Sequence, residues 1–474
     1  MALSNLTSGI ARALTGTAAQ VTDGLGRPLF DPVIRLGVTG LSQAGKTVFI
    51  TGLVANLLDR GRMSQLRAEA EGRIEAVHLR PQPDMTLPRF AYEDHLAAMT
   101  GDDPHWPAST RSVSELRLSF RLRPKGLFAG LGGPRHLHLD IVDYPGEWLL
   151  DLGLLDKTYA EWAEATLDRL AKRPEAAEFM ALTRAEDGSL PFAEPRAERL
   201  AAAFTAYLVK ARAAGWSDCT PGRFLLPGDL AGSPVLTFAP VPRPVQTPPG
   251  SLWPEMARRY EAYKRQVVKP FFRDHFAKID RQIVLADVLG AIHQGPRAVE
   301  DLRRTLADVL AAFRPGRNGW LAQILGGRRV ERILFAATKA DHLHHSQHAR
   351  LTAITEALLR EARDRAAFSG AMTGAMAVAG LRCTVEEEVT RDGTTLPCVR
   401  GRLVSGRSGA MYPGHLPEDP ARLLSPARQG AERWLDAEFG LMGFLPARTA
   451  QMPGKGPPHI RLDRAAEFLF GDRL

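Results

Sequence analysis

A doubly wound α/β sheet carrying a large, mostly helical insertion is the fold that this sequence predicts, and three observations predict it. Short apolar runs with the length and composition of buried strands recur along the chain. A glycine-containing loop separates the first of these runs from a helical pattern. In the middle of the chain the apolar period changes to three and four residues over more than a hundred positions.

Taken in order, residues 1–22 contain no acid and space Leu3, Leu6, Ile10, Leu14 and Val21 as an amphipathic helix would, either a membrane-surface segment or a leader docked on its own domain. Val33 to Thr39 reads as a strand that ends at Gly40, and Val48, Ile50, Leu53, Val54 and Leu57 follow at helical spacing. Leu116–Leu122 alternates. Leu137–Val142, Ile283–Leu285, Ile333–Ala337 and Ala375–Val378 read as buried strands, and the helical stretches between them imply a doubly wound sheet. Leu155, Tyr159, Trp162, Ala163, Leu167 and Leu170, then Leu200, Phe204 and Leu208, mark the helical insertion, which the proline-rich connector Pro240 to Pro254 divides. The expected organisation is a leader (1–30), a first sheet segment (31–149), the insertion (150–278), a second sheet segment (279–380) and a β-hairpin with helical extension (381–474).

The chain has 474 residues, 45% of them hydrophobic and 24% charged, which excludes a disordered or fibrous protein. Cys219, Cys383 and Cys398 form no CxxC pair, so neither a disulfide framework nor a zinc ribbon is supported. With no apolar run of membrane-spanning length, a cytoplasmic protein is expected, with peripheral contact to the inner membrane as an option. The net charge of +8 reads first as general surface charge, and would also suit an anionic membrane surface, nucleic acid or a nucleotide-binding site. Arg258, Arg259, Lys264, Arg265, Lys269 and Arg273, with Tyr260, Tyr263 and Phe271 interleaved, read as a solvated helix face carrying its own core aromatics, so nucleic-acid binding is not favoured.

The chemistry begins at Gly40-Leu41-Ser42-Gln43-Ala44-Gly45-Lys46-Thr47, which fits G-x-x-x-x-G-K-[ST] between a strand and a helix, the signature of a P-loop NTPase. Gly40 and Gly45 let successive N–H groups turn inward on phosphates, with Ser42 and Ala44 completing the cradle. Lys46 bridges the β and γ phosphates, and Thr47 offers a hydroxyl to Mg2+. Asp143-Tyr144-Pro145-Gly146 directly follows a buried strand; there Asp143 can hold the metal, and the Gly146 N–H can meet the γ phosphate. Glu147 comes next, either a general base that orients water or a surface carboxylate.

Thr338-Lys339-Ala340-Asp341 ends another apolar strand and reads the base. A fixed carboxylate at Asp341 accepts from N1–H and the 2-amino group of guanine, whereas adenine would leave it unpaired. Lys339 can lay its methylene stem over the ring, and His342 stands beside it. Trp106-Pro107-Ala108-Ser109-Thr110 precedes the alternating strand, so Thr110 is the candidate switch threonine, a metal ligand that senses the γ phosphate, with an ordinary loop threonine as the alternative. Arg111 is a candidate for neutralising transition-state charge. His342, His344, His345 and His348 read as a surface helix start and not as a metal site, because no carboxylate or cysteine lies at zinc spacing.

Through GLSQAGKT, WPASTRSVS, DIVDYPGEWLLDL and FAATKADHLHH the chain resembles the YcjX-like family of bacterial P-loop proteins, and the likeness extends to DRQIVLADVL and LDRAAEFLFGDRL. The resemblance implies a fold similar to the Ras-like G domain and to Gα, an ATPase or GTPase activity, and a link to envelope stress. Carried over, it implies phosphate binding by Ser42, Gly45, Lys46 and Thr47, switch duty for Thr110 and base reading by Lys339 and Asp341. Two departures stand out: Val378-Ala379-Gly380-Leu381 replaces the serine-alanine pair usual after the last strand, and Glu147 replaces the usual glutamine. The expectation is a Mg2+-dependent GTP/GDP switch; the alternatives are an ATPase of the same fold and a non-catalytic, nucleotide-stabilised scaffold for an inner-membrane protein.

Overall fold

In the computed structural model, the described residues are 31–40, 44–108, 112–124, 134–312, 330–367, 371–391, 393–434, 438–448 and 452–474. The expected leader, Ser42, Thr110 and Arg111 lie outside them. Seven strands form the main sheet: β1 (Val33–Gly40), β2 (Ile74–Arg80), β3 (Ser114–Leu122), β4 (Arg135–Asp143), β5 (Arg281–Ala286), β6 (Arg332–Ala337) and β7 (Met372–Ala377), in the order β2-β3-β4-β1-β5-β6-β7. The strands from β4 to β7 run parallel, whereas β3 and β2 are antiparallel additions at one edge. Central β1 alternates: Ile34, Leu36 and Val38 pack into the core on one side, while Arg35, Gly37 and Thr39 lie on the other. On the other face a Cβ added at Gly37 would stand 2.3 Å from Gln282 Oε1.

The face beneath Ile34, Leu36 and Val38 is closed by the helices Lys46–Leu58 and Leu462–Phe470, which bury Phe49, Leu53, Leu469 and Phe470. The opposite core contains Val142, Val284 and Phe335 of the sheet and continues without a break into the insertion, where Trp162, Phe204, Phe238 and Tyr260 meet. Trp162 stacks on Tyr260 with ring centroids 5.0 Å apart, and Phe238 meets Tyr260 edge-on at 5.8 Å. The helix Tyr159–Leu170 starts at a capping box in which Thr158 and Glu161 satisfy each other's N-terminal groups. Tyr260 and Tyr263 are fully buried and Phe271 nearly so, while Arg258 and Arg259 pair with Glu255, Arg259 also with Glu194, and Lys264 with Glu261. The interleaved aromatics therefore face the insertion core. β8 (Thr384–Arg391), β9 (Thr394–Arg402) and β10 (Ser408–Met411) make a separate antiparallel sheet in the order β10-β9-β8. No helix among the described residues is long and apolar enough to cross a membrane.

Candidate functional site

β1, β4, β5, β6 and β7 run parallel, so their carboxyl ends share one edge of the sheet, and at β1 the strand order reverses, with β4 on one side and β5 on the other. A ligand crevice belongs there. A cleft of about 470 Å³ opens at this edge, within the range of small-molecule sites.

Gly40 ends β1, and Gly45 turns the chain into the helix Lys46–Leu58 at φ 70°, a left-handed conformation that glycine adopts freely. Gly40, Ala44, Gly45, Lys46 and Thr47 line the floor of the cleft. Lys46 Nζ lies 2.6 Å from Asp143 at the end of β4 and donates to the Tyr144 carbonyl at 2.9 Å. Asp143 is 1% exposed, so its partner cation neutralises a charge that water scarcely reaches. Gly146 and Glu147 open the short helix Gly146–Leu150 and line the same cleft. Glu147 is 7% exposed, which overturns the surface-carboxylate alternative. Its Oε1 sits 3.2 Å from Arg212 on the insertion helix Glu194–Ala213.

The insertion is locked to this segment immediately downstream. Asp151 accepts from the Gly222 N–H at 2.7 Å and from the Tyr263 hydroxyl, and burial pushes its carboxyl up to about 7 against those hydrogen bonds. The Arg223 guanidinium lies 3.4 Å from the centre of the Trp148 ring. Gly222 is required by close approach, because a Cβ there would stand 2.3 Å from the Glu147 carbonyl oxygen.

At the other end of the cleft, Thr338 leaves β6 by donating its N–H to Ala286, and Lys339 follows at φ 58° and ψ 33°. A left-handed lysine costs about 1–2 kcal/mol and persists only where its surroundings hold it. Lys339 is held by Asp287, with which its ammonium pairs, and by the next residue, whose N–H donates to Val378 at 3.1 Å. The turn buries Asp341 at 4% exposure, its Oδ2 accepting from the Cys383 N–H at 3.0 Å and its carbonyl from the Thr384 hydroxyl. Burial and the adjacent carboxylate raise the Cys383 thiol well above its usual range. A carboxylate oxygen has lone pairs to spare beyond one backbone contact, so Asp341 keeps acceptors for a ligand.

Thr338, Lys339, Asp341 and His342 all line the cleft, as does Trp106. Trp106 Nε1–H donates to the Phe444 carbonyl at 2.8 Å, and His342 meets the Phe444 ring edge-on at 5.2 Å. Arg212 and Phe444, together with Val404 and Gly443 beyond β9, are lining residues that local sequence patterns do not single out. The histidine run is only in part the surface helix start expected: a helix begins at His348 and His345 is exposed, but His348 itself is buried, with Nε2–H donating to the Ala340 carbonyl at 2.8 Å. Glu386 lies 2.6 Å from His345 and 3.8 Å from His344, and Arg382 occupies its other oxygen at 3.1 Å.

A glycine-flanked loop after β1, a carboxylate behind its lysine and a second buried carboxylate after β6, ordered along one edge of this sheet, are the parts of a P-loop protein with a Ras-like G domain. Comparison with known proteins narrows the class. The chain belongs to the YcjX-like family, DUF463, whose pattern it matches over residues 34–474. It is similar to the Ras-like GTPase YcjX of Escherichia coli K12, at 38% identity over 459 residues, 94% of this chain and 96% of the relative. It is also similar to the Ras-like GTPase YcjX of Shewanella oneidensis MR-1, at 34% identity over 470 residues, 94% and 95% of the two chains.

Proposed function

We propose that this chain binds and hydrolyses GTP with Mg2+ and works as a nucleotide-dependent switch. The observation that carries the reading is that one cleft holds both Lys46 of the phosphate cradle and the fixed carboxylate of Asp341. The cleft thus offers donors and a cation at one end and acceptors at the other, the pattern a guanine nucleotide presents in reverse. Guanine's N1–H and 2-amino group donate to Asp341, while adenine would leave a 4%-exposed carboxylate facing an acceptor.

The donors near Lys46 fit a hard cation: Thr47 would supply a hydroxyl and Asp143 a carboxylate, and Thr110, outside the described residues, is the further ligand proposed. When bound, Mg2+ neutralises charge on the β- and γ-phosphate oxygens. The residues themselves act as follows. Lys46 exchanges Asp143 for phosphate oxygens, the Gly146 N–H meets the γ phosphate, and Glu147 orients the attacking water and takes its proton.

Calorimetric titration of nucleotide-free protein with GDP and with ADP, repeated on Asp341→Asn, tests this. The expected result is micromolar or tighter GDP binding that weakens about 10²-fold in the variant, as loss of hydrogen bonds to a charged acceptor requires, while ADP stays weak. Equal ADP binding, indifferent to Asp341, would replace the guanine reading with an ATPase.

A further inference from the structure

We infer that Arg212 of the helical insertion is a catalytic residue of the cleft, a guanidinium supplied by the same chain that neutralises charge developing on the transferred phosphoryl group. The inference rests on the nucleotide reading above and assigns within it a role to the insertion.

The helix Glu194–Ala213 buries Leu200, Phe204, Leu208 and Ala211 along one side, which fixes its rotation about its own axis. Arg212, in its last turn, is thereby delivered to the cleft that Lys46, Gly146 and Glu147 line. Beside Gly45 and Gly146, Lys46 pairs with Asp143 at 2.6 Å and Arg212 with Glu147 at 3.2 Å. One cation of this arrangement belongs to the phosphate cradle. The second has a similar disposition, a cation on a carboxylate just beyond the end of β4, but its side chain comes from the insertion. A polyphosphate entering the cleft brings several negative charges, and both cations gain more from phosphate oxygens than from a single carboxylate.

Guanidinium suits this duty better than ammonium. Its five N–H donors are arrayed in a plane, so one edge can hold Glu147 while the other meets a phosphate oxygen. Arg212 therefore contacts the reacting group without abandoning the residue that orients water. The insertion is braced for the purpose: Asp151 ties it to the segment after Glu147 through Gly222 and Tyr263, and Arg223 sits on Trp148. A side chain on a braced helix loses little freedom when charge develops, which is the condition for electrostatic stabilisation of a transition state.

The test compares Arg212→Ala and Arg212→Lys with the wild-type chain in three measurements made in Mg2+: GDP affinity, affinity for GDP with aluminium fluoride, and single-turnover hydrolysis of GTP. Arg212→Ala is expected to keep GDP affinity within threefold, to lose about 10²-fold in hydrolysis rate and to lose the aluminium fluoride complex. Arg212→Lys restores charge without the planar fork and is expected to remain about tenfold slow. To separate contact with phosphate from positioning of Glu147, Arg212→Ala is also introduced into Glu147→Gln; the aluminium fluoride affinity should fall again in that background. Unchanged hydrolysis and aluminium fluoride binding in Arg212→Ala, or no additional loss in the Glu147→Gln background, overturns the assignment. A wild-type chain that binds GDP but forms no aluminium fluoride complex also overturns it. Failure of the wild-type chain to bind GDP and ADP alike overturns the nucleotide reading itself, a result distinct from all of these.

Discussion

Replacing Gly52 by alanine sets two known effects against each other. Gly52 lies inside the helix that follows the phosphate cradle, where alanine is intrinsically preferred by about 1 kcal/mol. The helix, however, packs backbone to backbone on the loop beyond β7: a Cβ at Gly52 would stand 2.1 Å from the Gly380 carbonyl oxygen and 2.9 Å from its carbon. From the other side, a Cβ at Gly380 would stand 2.7 Å from the Val48 carbonyl oxygen. Carbon to carbonyl-oxygen contacts do not ordinarily fall below about 3.3 Å, so the loop must retreat by about 1 Å. No side chain can turn aside to relieve the clash. Overpacking of this kind costs up to about 3 kcal/mol, leaving a net loss of about 2 kcal/mol after the helical preference is subtracted.

The same movement draws Ala379, Gly380 and Leu381 away from the cleft they line, so GDP affinity should fall about tenfold alongside the stability. Urea unfolding followed by circular dichroism, with calorimetric GDP titration, measures both. Gly153→Ala is the control, since a Cβ there meets nothing within 4 Å. A Gly52→Ala protein as stable as the control, with GDP affinity unchanged, would refute the close-approach argument.

Two further outcomes follow from the site. Lys46→Ala removes the cradle's cation and leaves Asp143 buried without its 2.6 Å partner; GDP affinity should drop about 10²-fold in calorimetry, and a change below threefold would remove Lys46 from phosphate binding. Asp151 holds a proton up to about pH 7 in the folded chain but only to its ordinary carboxylate value when unfolded. The folded state therefore binds more protons between those limits, and stability falls as pH rises through that window, by about 2 kcal/mol from pH 5 to pH 7. Asp151→Asn should flatten that part of the urea-midpoint profile, and an unaltered slope would place the proton elsewhere.

How much of this could be read in the residues depended on how local each signal was. Gly45, Lys46, Asp143 and Asp341 sit in short motifs at strand ends, where spacing alone places backbone and side chain. The edge strand Ile74–Arg80 escaped because its register shifts between Ile74 and Ala76 and breaks the alternation that marks a strand. Arg212 and Phe444 reach the cleft only through tertiary packing, one through the burial of Leu200, Phe204 and Leu208, the other through the Trp106 side chain. Nothing in their immediate neighbourhoods distinguishes them from other arginines and phenylalanines. The histidine run misled for the opposite reason. His348 satisfies a backbone carbonyl of the turn that holds Asp341, and the acid beside His345 arrives from β8, 41 positions along the chain.

The helix Leu462–Phe470 closes the sheet face on which the cradle helix lies, and that has a consequence for how the protein is made. Phe470 and Leu469 share a core with Phe49 and Leu53, yet about 400 residues separate the two helices along the chain. At ribosomal rates of about 5–20 residues per second, the cradle helix emerges roughly 20–80 s before the surface that covers it. Through that interval its apolar side lacks this cover, and the newborn chain depends on its own insertion or on chaperones to keep it from aggregating. That face of the sheet is thus closed late, when the helix Leu462–Phe470 seats.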